Sequence, residues 1–395
     1  MTTRRILFDL LAASTGGQLT RTRAFLKRFR QYDPDSEFCI LQERNALGAM
    51  VERSDLQVHN IDPPPGPRFL FRFGWQNLVL PGIVKRGQFD TYLSFSHFLP
   101  WTLPDNVTSV IGVANLAPFS DEAMKSEAGL YGRLRLHLLN RTILSSASRA
   151  DHVIALSQTC RDVLEARGIA PGKISVISNG VEMPGPMHDG EAAAELRSRF
   201  GIPREFILYV SHFYPYKNFE RLIEAFARLP QALRDRFPLV LVGEPHDRHY
   251  FNTVLSAIQS NNIAVRVIVV PGLDTASLGV LYRCASLFAY PSLVENSPNI
   301  LLEAMAHGTP VIAGSHQPMP EFGGDAIAYF DALSVASIAN SMATALSDDD
   351  WRERARKMGP ARAGRYTWDR FTRDVVSLYR TGHLPVHAAS SGPSA

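Results

Sequence analysis

Two successive series of short apolar segments, separated by amphipathic stretches, constrain the fold of this 395-residue chain more than any other feature. The first series consists of ILFDLLA (6–12), EFCILQ (37–42), TYLSFS (91–96), TSVIGVAN (108–115), HVIALS (152–157) and ISVIS (174–178). The second consists of FILYVS (206–211), PLVLVGE (238–244), RVIVVPG (266–272), SLFAYPS (286–292) and TPVIAGS (309–315), with helices predicted near 218–229, 247–260, 274–285, 297–307 and 333–347. Short apolar strands that alternate with helices are typical of a parallel sheet covered by helices on both faces. The sequence therefore predicts an α/β protein with two doubly wound, Rossmann-like domains, whose ligands bind beyond the carboxyl ends of the strands and in a cleft between the domains.

The boundary between the two domains is predicted in a loose stretch, VEMPGPMHDGEAAAE (181–195). We predict an N-terminal domain over 1–184, a C-terminal domain over 185–368, and a helix over 369–383 that returns to the N-terminal domain. The small and polar residues of the tail, 384–395, predict disorder. The proline-rich stretch PPPGPRFLFRFGWQ (63–76) is interpreted as a surface loop that leads into an aromatic patch.

Composition places the chain among globular proteins, with 45% apolar and 20% charged residues. Its three cysteines, Cys39, Cys160 and Cys284, lie far apart, which is typical of a reduced, cytosolic protein. The N-terminal MTTRRILFDLLAAS superficially resembles a signal peptide, but its apolar run is short and is interpreted as the first buried strand. No segment approaches the roughly 20 apolar residues that span a bilayer. We therefore predict a cytoplasmic protein without a transmembrane anchor.

Basic residues concentrate in two helix-like runs, RTRAFLKRFR (21–30) and GRLRLHLLNR (132–141). Such runs are either solvated helix faces or a face attracted to anionic lipid or phosphate. In a helix over 18–30, one stripe of side chains should pack on the sheet: Leu19, Thr22, Phe25, Leu26 and Phe29. The surrounding cations should remain at the surface: Arg21, Arg23, Lys27, Arg28 and Arg30. This arrangement predicts reversible, salt-sensitive association with an anionic membrane surface.

The stretch VENSPNILLEAMAHGTPVIAGS (294–315) combines a helix start with two carboxylates. Ser297 before Pro298 predicts a hydroxyl N-cap followed by proline at the first helical position, and Gly308 predicts the end of the helix. The free backbone amides at Asn299, Ile300 and Leu301 would then favour an anion such as a phosphate.

Two glutamates flank this predicted phosphate site. Glu295 lies in the strand-to-helix loop, and Glu303 lies too far into the helix to take part in a capping box with Ser297. Carboxylates accept hydrogen bonds from hydroxyl groups. A nucleotide sugar supplies the matching groups, because it contains a diphosphate, a ribose and a hexose.

The same stretch resembles the E-x7-E signature of the retaining GT-B glycosyltransferases of glycosyltransferase family 4. The resemblance extends over most of the chain, in the order that the family has. It includes STGGQ (14–18), ADHVIALSQTCRDVLEARGIAPGKISVISNGVE (150–182), ILYVSHFYPYKNFERLIEAFARL (207–229), LLEAMAHGTPVI (301–312) and PEFGGDAIAYFD (320–331). It implies a GT-B fold with an N-terminal acceptor domain and a C-terminal nucleotide-sugar donor domain.

The resemblance also implies roles for individual residues. Glu303 would bind the ribose hydroxyls, and Glu295 would contact hydroxyls of the transferred sugar. The amides of Ile300 and Leu301, with the Lys217 ammonium, would hold the diphosphate as it leaves. Glu295 and Lys217 are the implied catalytic residues. The implied donor-binding residues are Gly17, His212, Lys217, Gly272, Asn299, Ile300, Leu301 and Glu303, and Asn115 is placed on the acceptor side.

The chain departs from the family pattern at three points. Ser211-His212 stands where many relatives have Gly-Arg, so the cationic clamp on the phosphate is weaker. Asn296-Ser297-Pro298 replaces Gly-Phe-Gly after the first glutamate, which stiffens that loop. Asn115 stands where many relatives have a histidine, which puts a protonatable group there in doubt.

Two Asp-x-Asp matches, Asp33-Pro34-Asp35 and Asp348 to Asp350, lack a phosphate-binding context, and we reject both as metal sites. The sequence therefore predicts an enzyme that needs no metal or cofactor and binds no nucleic acid. The predicted activity is retaining transfer of a hexose, mannose-like or rhamnose-like, from a nucleoside diphosphate sugar to a glycan or lipid-linked acceptor in polysaccharide biosynthesis. Two alternatives stay open: a GT-B sugar-nucleotide epimerase or hydrolase, and a catalytically inactive GT-B nucleotide-binding protein.

Overall fold

The computed structural model describes residues 3–11, 16–44, 56–62, 68–126, 129–185 and 190–385. The chain divides into two compact units. Unit 1 comprises residues 1–114, 137–180 and 368–395, and unit 2 comprises 115–136 and 181–367. The segment 115–136, predicted as part of the N-terminal domain, thus groups with unit 2, where its helix packs beside a turn that follows the first strand of that unit.

Unit 1 contains a seven-stranded parallel sheet within the described residues. Its strands are β1 (Arg5–Asp9), β2 (Glu37–Glu43), β3 (Gln57–Ile61), β4 (Thr91–Ser94), β5 (Thr108–Val113), β6 (His152–Ala155) and β7 (Ile174–Val176). The spatial order is β3-β2-β1-β4-β5-β6-β7. The strand order reverses between β1 and β4, which pair in register from Ile6 opposite Thr91 to Asp9 opposite Ser94. This is the order of a doubly wound fold, with its switch point at the ends of those two strands.

Helices cover both faces of this sheet. Those that lie wholly in unit 1 are α1 (Gly16–Arg28), α2 (Arg68–Leu78), α3 (Leu80–Arg86), α6 (Gln158–Glu165) and α16 (Trp368–Thr381). The helix α4 (Asp121–Ser126) lies in unit 2, and α5 (Leu130–Arg149) begins in unit 2 and continues into unit 1. The helix α16 belongs to the core of unit 1, because its buried Trp368, Phe371 and Val375 pack in one cluster with Phe8 and Phe95.

Unit 2 repeats the same plan with six parallel strands among the described residues. They are β8 (Ile207–Val210), β9 (Leu239–Val242), β10 (Val267–Val270), β11 (Leu287–Tyr290), β12 (Val311–Gly314) and β13 (Ala328–Phe330). The order is β10-β9-β8-β11-β12-β13, so the switch point falls between β8 and β11. Four of these strands, β8, β9, β11 and β12, are buried at every position, which explains their continuous apolar sequences.

The remaining helices of unit 2 surround that sheet. They are α7 (Gly190–Phe200), α8 (Phe219–Ala227), α9 (Gln231–Arg236), α10 (Arg248–Ser260), α11 (Thr275–Cys284), α12 (Asn299–Ala306), α13 (Met319–Gly323), α14 (Val335–Ser347) and α15 (Asp349–Ala363). Several of these helices begin with a side-chain cap. Asp247, Asp274 and Ser334 each accept a hydrogen bond from a first-turn amide, of α10, α11 and α14 respectively.

Several local expectations were wrong. The aromatic part of 63–76 is not a loop, because 68–78 forms α2, and residues 63–67 lie outside the described residues. The predicted linker is shorter than 181–195, because the helix-forming GEAAAELRSRF folds as α7. The sheet strands β3 and β13 were missed. The predicted disorder of the tail concerns mostly residues 386–395, which lie outside the described residues.

Candidate active site

The candidate site is built at the carboxyl ends of β8 and β11, the switch point of unit 2. Lys217 closes a short 3-10 turn (Pro215–Lys217) after β8, and Glu295 lies in the loop after β11. Ligands of doubly wound sheets bind at such a point, where the two adjoining loops diverge. The fold therefore brings together two residues that lie 78 positions apart in the sequence.

Lys217 and Glu295 form an ion pair, with 2.5 Å between Lys217 Nζ and Glu295 Oε1. Their side chains are 13% and 11% exposed, so the pair is largely removed from water. Burial, the largest single effect, lowers the pKa of Lys217, but the Glu295 carboxylate and the Tyr216 and Tyr214 hydroxyls together outweigh burial, so the pKa of Lys217 is raised. The Tyr290 hydroxyl donates a second hydrogen bond to Glu295 Oε1, at 2.7 Å. The ammonium is thus held fully charged and oriented before any ligand arrives.

The position of Lys217 depends on Asn218, which sequence reasoning did not single out. Asn218 is buried and adopts a left-handed conformation, with φ of 63°. Its Nδ2 donates to the carbonyls of Pro291 (3.0 Å) and Ala332 (2.8 Å), and so joins the loops after β8, β11 and β13. Asparagine tolerates this conformation better than most residues. The sequence feature that could have identified Asn218 is its position directly after Lys217 and directly before a predicted helix.

The helix α12 begins one residue later than predicted. Its N-cap is Pro298, not Ser297, and the first helical hydrogen bond runs from the Leu302 amide to the Pro298 carbonyl, at 3.1 Å. The Ser297 hydroxyl is buried without a hydrogen-bond partner, so the predicted serine cap is wrong. The amides of Ile300 and Leu301 precede that first helical bond, and neither donates to a backbone carbonyl within the described residues. They are therefore free to face an anion, but the Asn299 amide, which was predicted to be free with them, donates to the Ser297 carbonyl at 2.9 Å. Anion binding at this turn stays a prediction.

Glu303 lies on the second turn of α12. Its Oε2 accepts a hydrogen bond from the Tyr282 hydroxyl of α11, at 3.3 Å. Burial raises the pKa of Glu303 to about 7, and the bond from Tyr282 lowers it only in part. A buried carboxyl of this kind gains when a ligand supplies hydroxyl donors to its ionised form. The Tyr282 contact was not predicted.

A group of aromatic rings follows β8 and β9. The His212 and His246 rings meet edge to face, with centroids 4.4 Å apart. The Tyr214 ring is nearly parallel to those of Tyr216 (5.7 Å) and His246 (6.0 Å). Burial, His246 and Lys217 lower the pKa of His212, so this histidine is neutral at pH 7. The residue that replaces arginine in the family pattern therefore brings no positive charge.

Gly272, a predicted donor-binding residue, lies two positions beyond β10. A Cβ atom built there would fall 2.3 Å from Glu244 Oε1, a carboxylate oxygen in the loop after the neighbouring β9. Glu244 is an exposed residue at the same carboxyl edge of the sheet as Lys217 and Glu295. Sequence reasoning did not identify Glu244.

Two further predicted site residues, Asn115 and Gly17, come from other segments of the chain. Asn115 opens the segment that belongs to unit 2, and its Oδ1 accepts a hydrogen bond from the Ala117 amide, at 2.9 Å. The following helix, α4, packs on the turn that carries Lys217. Gly17 lies near the start of α1 in unit 1, so it is part of a helix and not of the predicted loop. Its approach to the donor remains a prediction.

The first aspartate of each Asp-x-Asp match has structural partners. Asp33 is buried and accepts hydrogen bonds from the Tyr379 hydroxyl (2.5 Å) and Arg380 Nη1 (2.6 Å), which tie α16 to unit 1. Asp348 caps α15 by accepting the Trp351 amide, at 2.7 Å. Among the described residues, no three His, Cys, Asp or Glu side chains form a group suited to a metal ion.

The basic face predicted on α1 is smaller than expected. Arg21 is buried rather than exposed: its guanidinium lies 5.6 Å from the centre of the Phe95 ring, and burial lowers its pKa to about 10. Arg28 pairs with Asp369 of α16, with 3.5 Å between Nε and Oδ2. Arg23 and Lys27 are exposed as predicted. No helix in the described ranges is long and apolar enough to cross a membrane.

An exposed apolar patch on unit 1 was not predicted. Leu78 and Trp101 are 80% and 60% exposed, and Val79 is also exposed. Trp101 lies beside the end of α2, because its amide bonds Asn77 Oδ1 at 2.9 Å. The charged Lys85 and Arg86 at the end of α3 are exposed in the same connected segment. We name Leu78, Val79 and Trp101 the tryptophan patch.

Two family models together match most of the chain. The model described as glycosyl transferases group 1 matches residues 194–362, and the model described as glycosyltransferase family 4 matches residues 15–183. The matched ranges contain every predicted site residue in both units.

Curated relatives match over shorter ranges. A serotype-specific mannosyltransferase WbdA of Escherichia coli is 29% identical over 229 residues, which cover 57% of this chain and 28% of that protein. An O-antigen chain mannosyltransferase B of Escherichia coli is 32% identical over 176 residues, which cover 44% of this chain and 45% of that protein. The chain thus spans less than half the length of these two relatives.

A solved structure matches over nearly the whole chain. HepE of Anabaena, in complex with UDP and glucose, aligns with a TM-score of 0.72 and 18% sequence identity. The alignment covers 95% of this chain and 99% of that one. At this level of identity, the likeness shows the shared fold.

Proposed function

We propose that this chain, which belongs to the GT-B glycosyltransferases of family 4, transfers a hexose from a nucleoside diphosphate sugar to an acceptor hydroxyl with retention of configuration. The observation that carries the proposal is the buried Lys217–Glu295 pair at the switch point of unit 2, next to the first turn of α12. The acceptor is a glycan or a lipid-linked glycan in polysaccharide biosynthesis, and the reaction needs no metal. The two mannosyltransferase relatives favour a mannose-like hexose.

The two glutamates, Lys217 and the free amides of α12 each have a defined role in this proposal. The ionised Glu303 accepts hydrogen bonds from the ribose hydroxyls. The amides of Ile300 and Leu301 and the Lys217 ammonium bind the diphosphate and stabilise the charge that develops as the bond to the sugar breaks. Glu295 holds Lys217 and accepts hydrogen bonds from the sugar hydroxyls, which positions the anomeric carbon. A same-face displacement, in which the departing phosphate takes the acceptor proton, uses these groups without a covalent nucleophile.

A thermal-shift panel of UDP, GDP, ADP and dTDP tests the binding half of the proposal. A nucleotide at 100 times its Kd should stabilise the protein by about 2.7 kcal/mol. Glu303→Ala should weaken this effect, whereas Glu295→Ala should lower sugar transfer more than nucleotide affinity. Transfer at the parental rate by both variants would exclude this site.

The same experiments separate the alternatives. An inactive nucleotide-binding protein would bind a nucleotide and transfer no sugar. An epimerase or hydrolase would convert the donor at full rate without an acceptor. Strict dependence of transfer on added Mg²⁺ or Mn²⁺, abolished by EDTA, would contradict metal independence.

We also propose that unit 1 associates peripherally with an anionic membrane through the tryptophan patch. Exposed tryptophan and aliphatic side chains partition to the membrane interface, and each nearby cation adds up to about 1 kcal/mol at an anionic surface. Trp101→Ser should reduce flotation with anionic vesicles at low salt. Val265→Ser, which changes an exposed apolar residue of unit 2, is the matched control. Membrane association would be rejected if the parent floated no better with anionic than with neutral vesicles, and if Trp101→Ser floated as well as the parent.

A further inference from the structure

We propose that Glu244 selects guanine as the base of the donor nucleotide. The inference rests on the proposed function, since it concerns the base end of the same donor site. Glu244 follows β9 and lies beside Gly272, which follows β10, at the far end of the carboxyl edge from Glu295. The recognised chemical group is the pair of adjacent N–H donors on the guanine edge.

The sheet order places Glu244 at the base end of a bound nucleotide. Lys217 and Glu295 follow β8 and β11, and the next strands along the sheet in the direction of β8 are β9 and then β10. Neighbouring strands lie about 4.8 Å apart, so the ends of β11 and β10 are separated by roughly 14 Å. An extended nucleoside diphosphate covers such a span. With its phosphates at Lys217 and the first turn of α12, its base reaches the loops after β9 and β10.

The backbone holds Glu244 at this position. Its carbonyl accepts hydrogen bonds from the amides of Phe213 (3.1 Å) and His246 (2.9 Å), which link the loops after β8 and β9. The preceding Gly243 allows the close approach of these loops, because a Cβ there would lie 1.8 Å from the Ser211 carbonyl oxygen. Gly272 leaves room for the Glu244 carboxylate on the other side. A Cβ atom at position 272 would lie only 2.3 Å from Glu244 Oε1.

The Glu244 carboxylate is available to a ligand. The residue is exposed, and no hydrogen bond or ion pair to its carboxylate is found within the described part of the chain. The Glu244 charge acts on His212, but burial and neighbouring groups lower the pKa of that histidine overall, so it is neutral at pH 7. An uncompensated anion at a site for a diphosphate weakens binding unless the ligand gives it hydrogen bonds. A base that binds beside Glu244 should therefore present hydrogen-bond donors to its carboxylate.

Guanine is the base that meets this requirement. An ionised carboxylate only accepts hydrogen bonds, and its two oxygens match two adjacent donors. Guanine presents N1–H and the 2-amino group side by side. Uracil and thymine place carbonyl oxygens on both sides of N3–H, and adenine and cytosine place an unprotonated ring nitrogen beside the amino group. In each of those four bases, the lone pair of an acceptor atom would face a carboxylate oxygen and repel it. Guanine instead donates one hydrogen bond to each carboxylate oxygen.

The test is isothermal titration of the full chain with GDP, UDP and inosine diphosphate, which is GDP without the 2-amino group. The parent should bind GDP about tenfold or more tightly than either of the others, as expected for hydrogen bonds to a charged acceptor. In Glu244→Gln, one acceptor oxygen becomes a donor, so the preference for GDP over inosine diphosphate should fall toward one. Glu195→Gln, an exposed glutamate on α7, is the matched control and should keep the parental preference.

The outcomes separate this inference from the proposed function. Tighter binding of UDP than GDP, or an unchanged preference for GDP over inosine diphosphate in Glu244→Gln, would overturn the role of Glu244 and leave the donor site in place. Loss of all nucleotide binding in Glu244→Gln, with an unchanged unfolding temperature, would also overturn it, because selectivity requires residual binding. Absence of nucleotide binding by the parent would overturn both.

Discussion

The affinity of the protein for a nucleoside diphosphate sugar should fall about tenfold when the pH is lowered from 8 to 6. Burial raises the pKa of Glu303 to about 7. Only the ionised carboxylate accepts hydrogen bonds from both ribose hydroxyls. A group with this pKa is about nine-tenths ionised at pH 8 and about one-tenth at pH 6, and the apparent affinity follows the competent fraction.

Isothermal titration at pH 6, 7 and 8 measures this effect directly. The ligand should be an intact nucleotide sugar, because its diphosphate is esterified at both ends and does not titrate near neutral pH. The control is Glu303→Gln, which keeps the size of the side chain, should bind more weakly and should lack the tenfold loss. His212 acts in the opposite direction, since its protonation at low pH would strengthen diphosphate binding. An equal loss of affinity in the parent and Glu303→Gln would refute the assignment.

The raised pKa of Glu303 also makes the folding stability depend on pH. Stability should fall as the pH rises, whereas nucleotide affinity should increase. The folded-state pKa of Glu303 lies above its ordinary value of 4.5. The stability that this group contributes is fully present below about pH 4.5 and is lost as the pH rises through about 7, a change of about 3 kcal/mol. Glu303→Gln should therefore unfold at a higher temperature than the parent at pH 8, and the difference should shrink toward pH 5. Calorimetry over this range checks the direction.

Three further substitutions test the rest of the site. Lys217→Ala should lower turnover about 10²–10³-fold, as expected for the loss of one donor to a developing charge, and a steady-state transfer assay would contradict this if the rate fell less than tenfold. Asn218→Gly keeps the left-handed backbone but removes the bonds to the Pro291 and Ala332 carbonyls, so it should cost about 1–3 kcal/mol of stability and also lower turnover. A stable Asn218→Gly with parental turnover would show that this residue does not position Lys217. His212→Arg should tighten diphosphate binding several-fold at low salt, with less gain at high salt, and titration showing no gain would place His212 away from the phosphates.

Much of the fold could be predicted from the sequence, and the GT-B architecture is confirmed. The central strands of both sheets are buried on both faces, so they appear as continuous apolar runs. The strand β3 was missed because it is an edge strand with the polar sequence QVHNI. The strand β13 was missed because its sequence AYF has no β-branched residue, unlike that of the equally short β7. The burial of Arg21 could not be predicted from the helical pattern, since it depends on the Phe95 ring from a different strand.

The site was predictable where one continuous segment carries it and not where the fold assembles it. The position of Glu303 on a helix and the free amides of Ile300 and Leu301 followed from local sequence. The hydroxyl that bonds Glu303 comes from Tyr282 on a different helix, α11. The hydroxyl that bonds Glu295 comes from Tyr290 at the end of the buried strand β11, whose sequence has no polar pattern. The serine cap was wrong because a helix start is fixed by backbone angles, and Pro298 takes the N-cap position itself.

The division of unit 1 along the chain has a consequence for synthesis on the ribosome. Its core includes Trp368, Phe371 and Val375 of α16, which follow the whole of unit 2 in sequence. Chains emerge at about 5–20 residues per second, and domains fold as units as they appear. Unit 2 is therefore ready to fold while the sheet of unit 1 still waits for its last helix. For the roughly 10–40 s needed to translate the intervening 187 residues, 181–367, the apolar face that α16 will cover is exposed to chaperones.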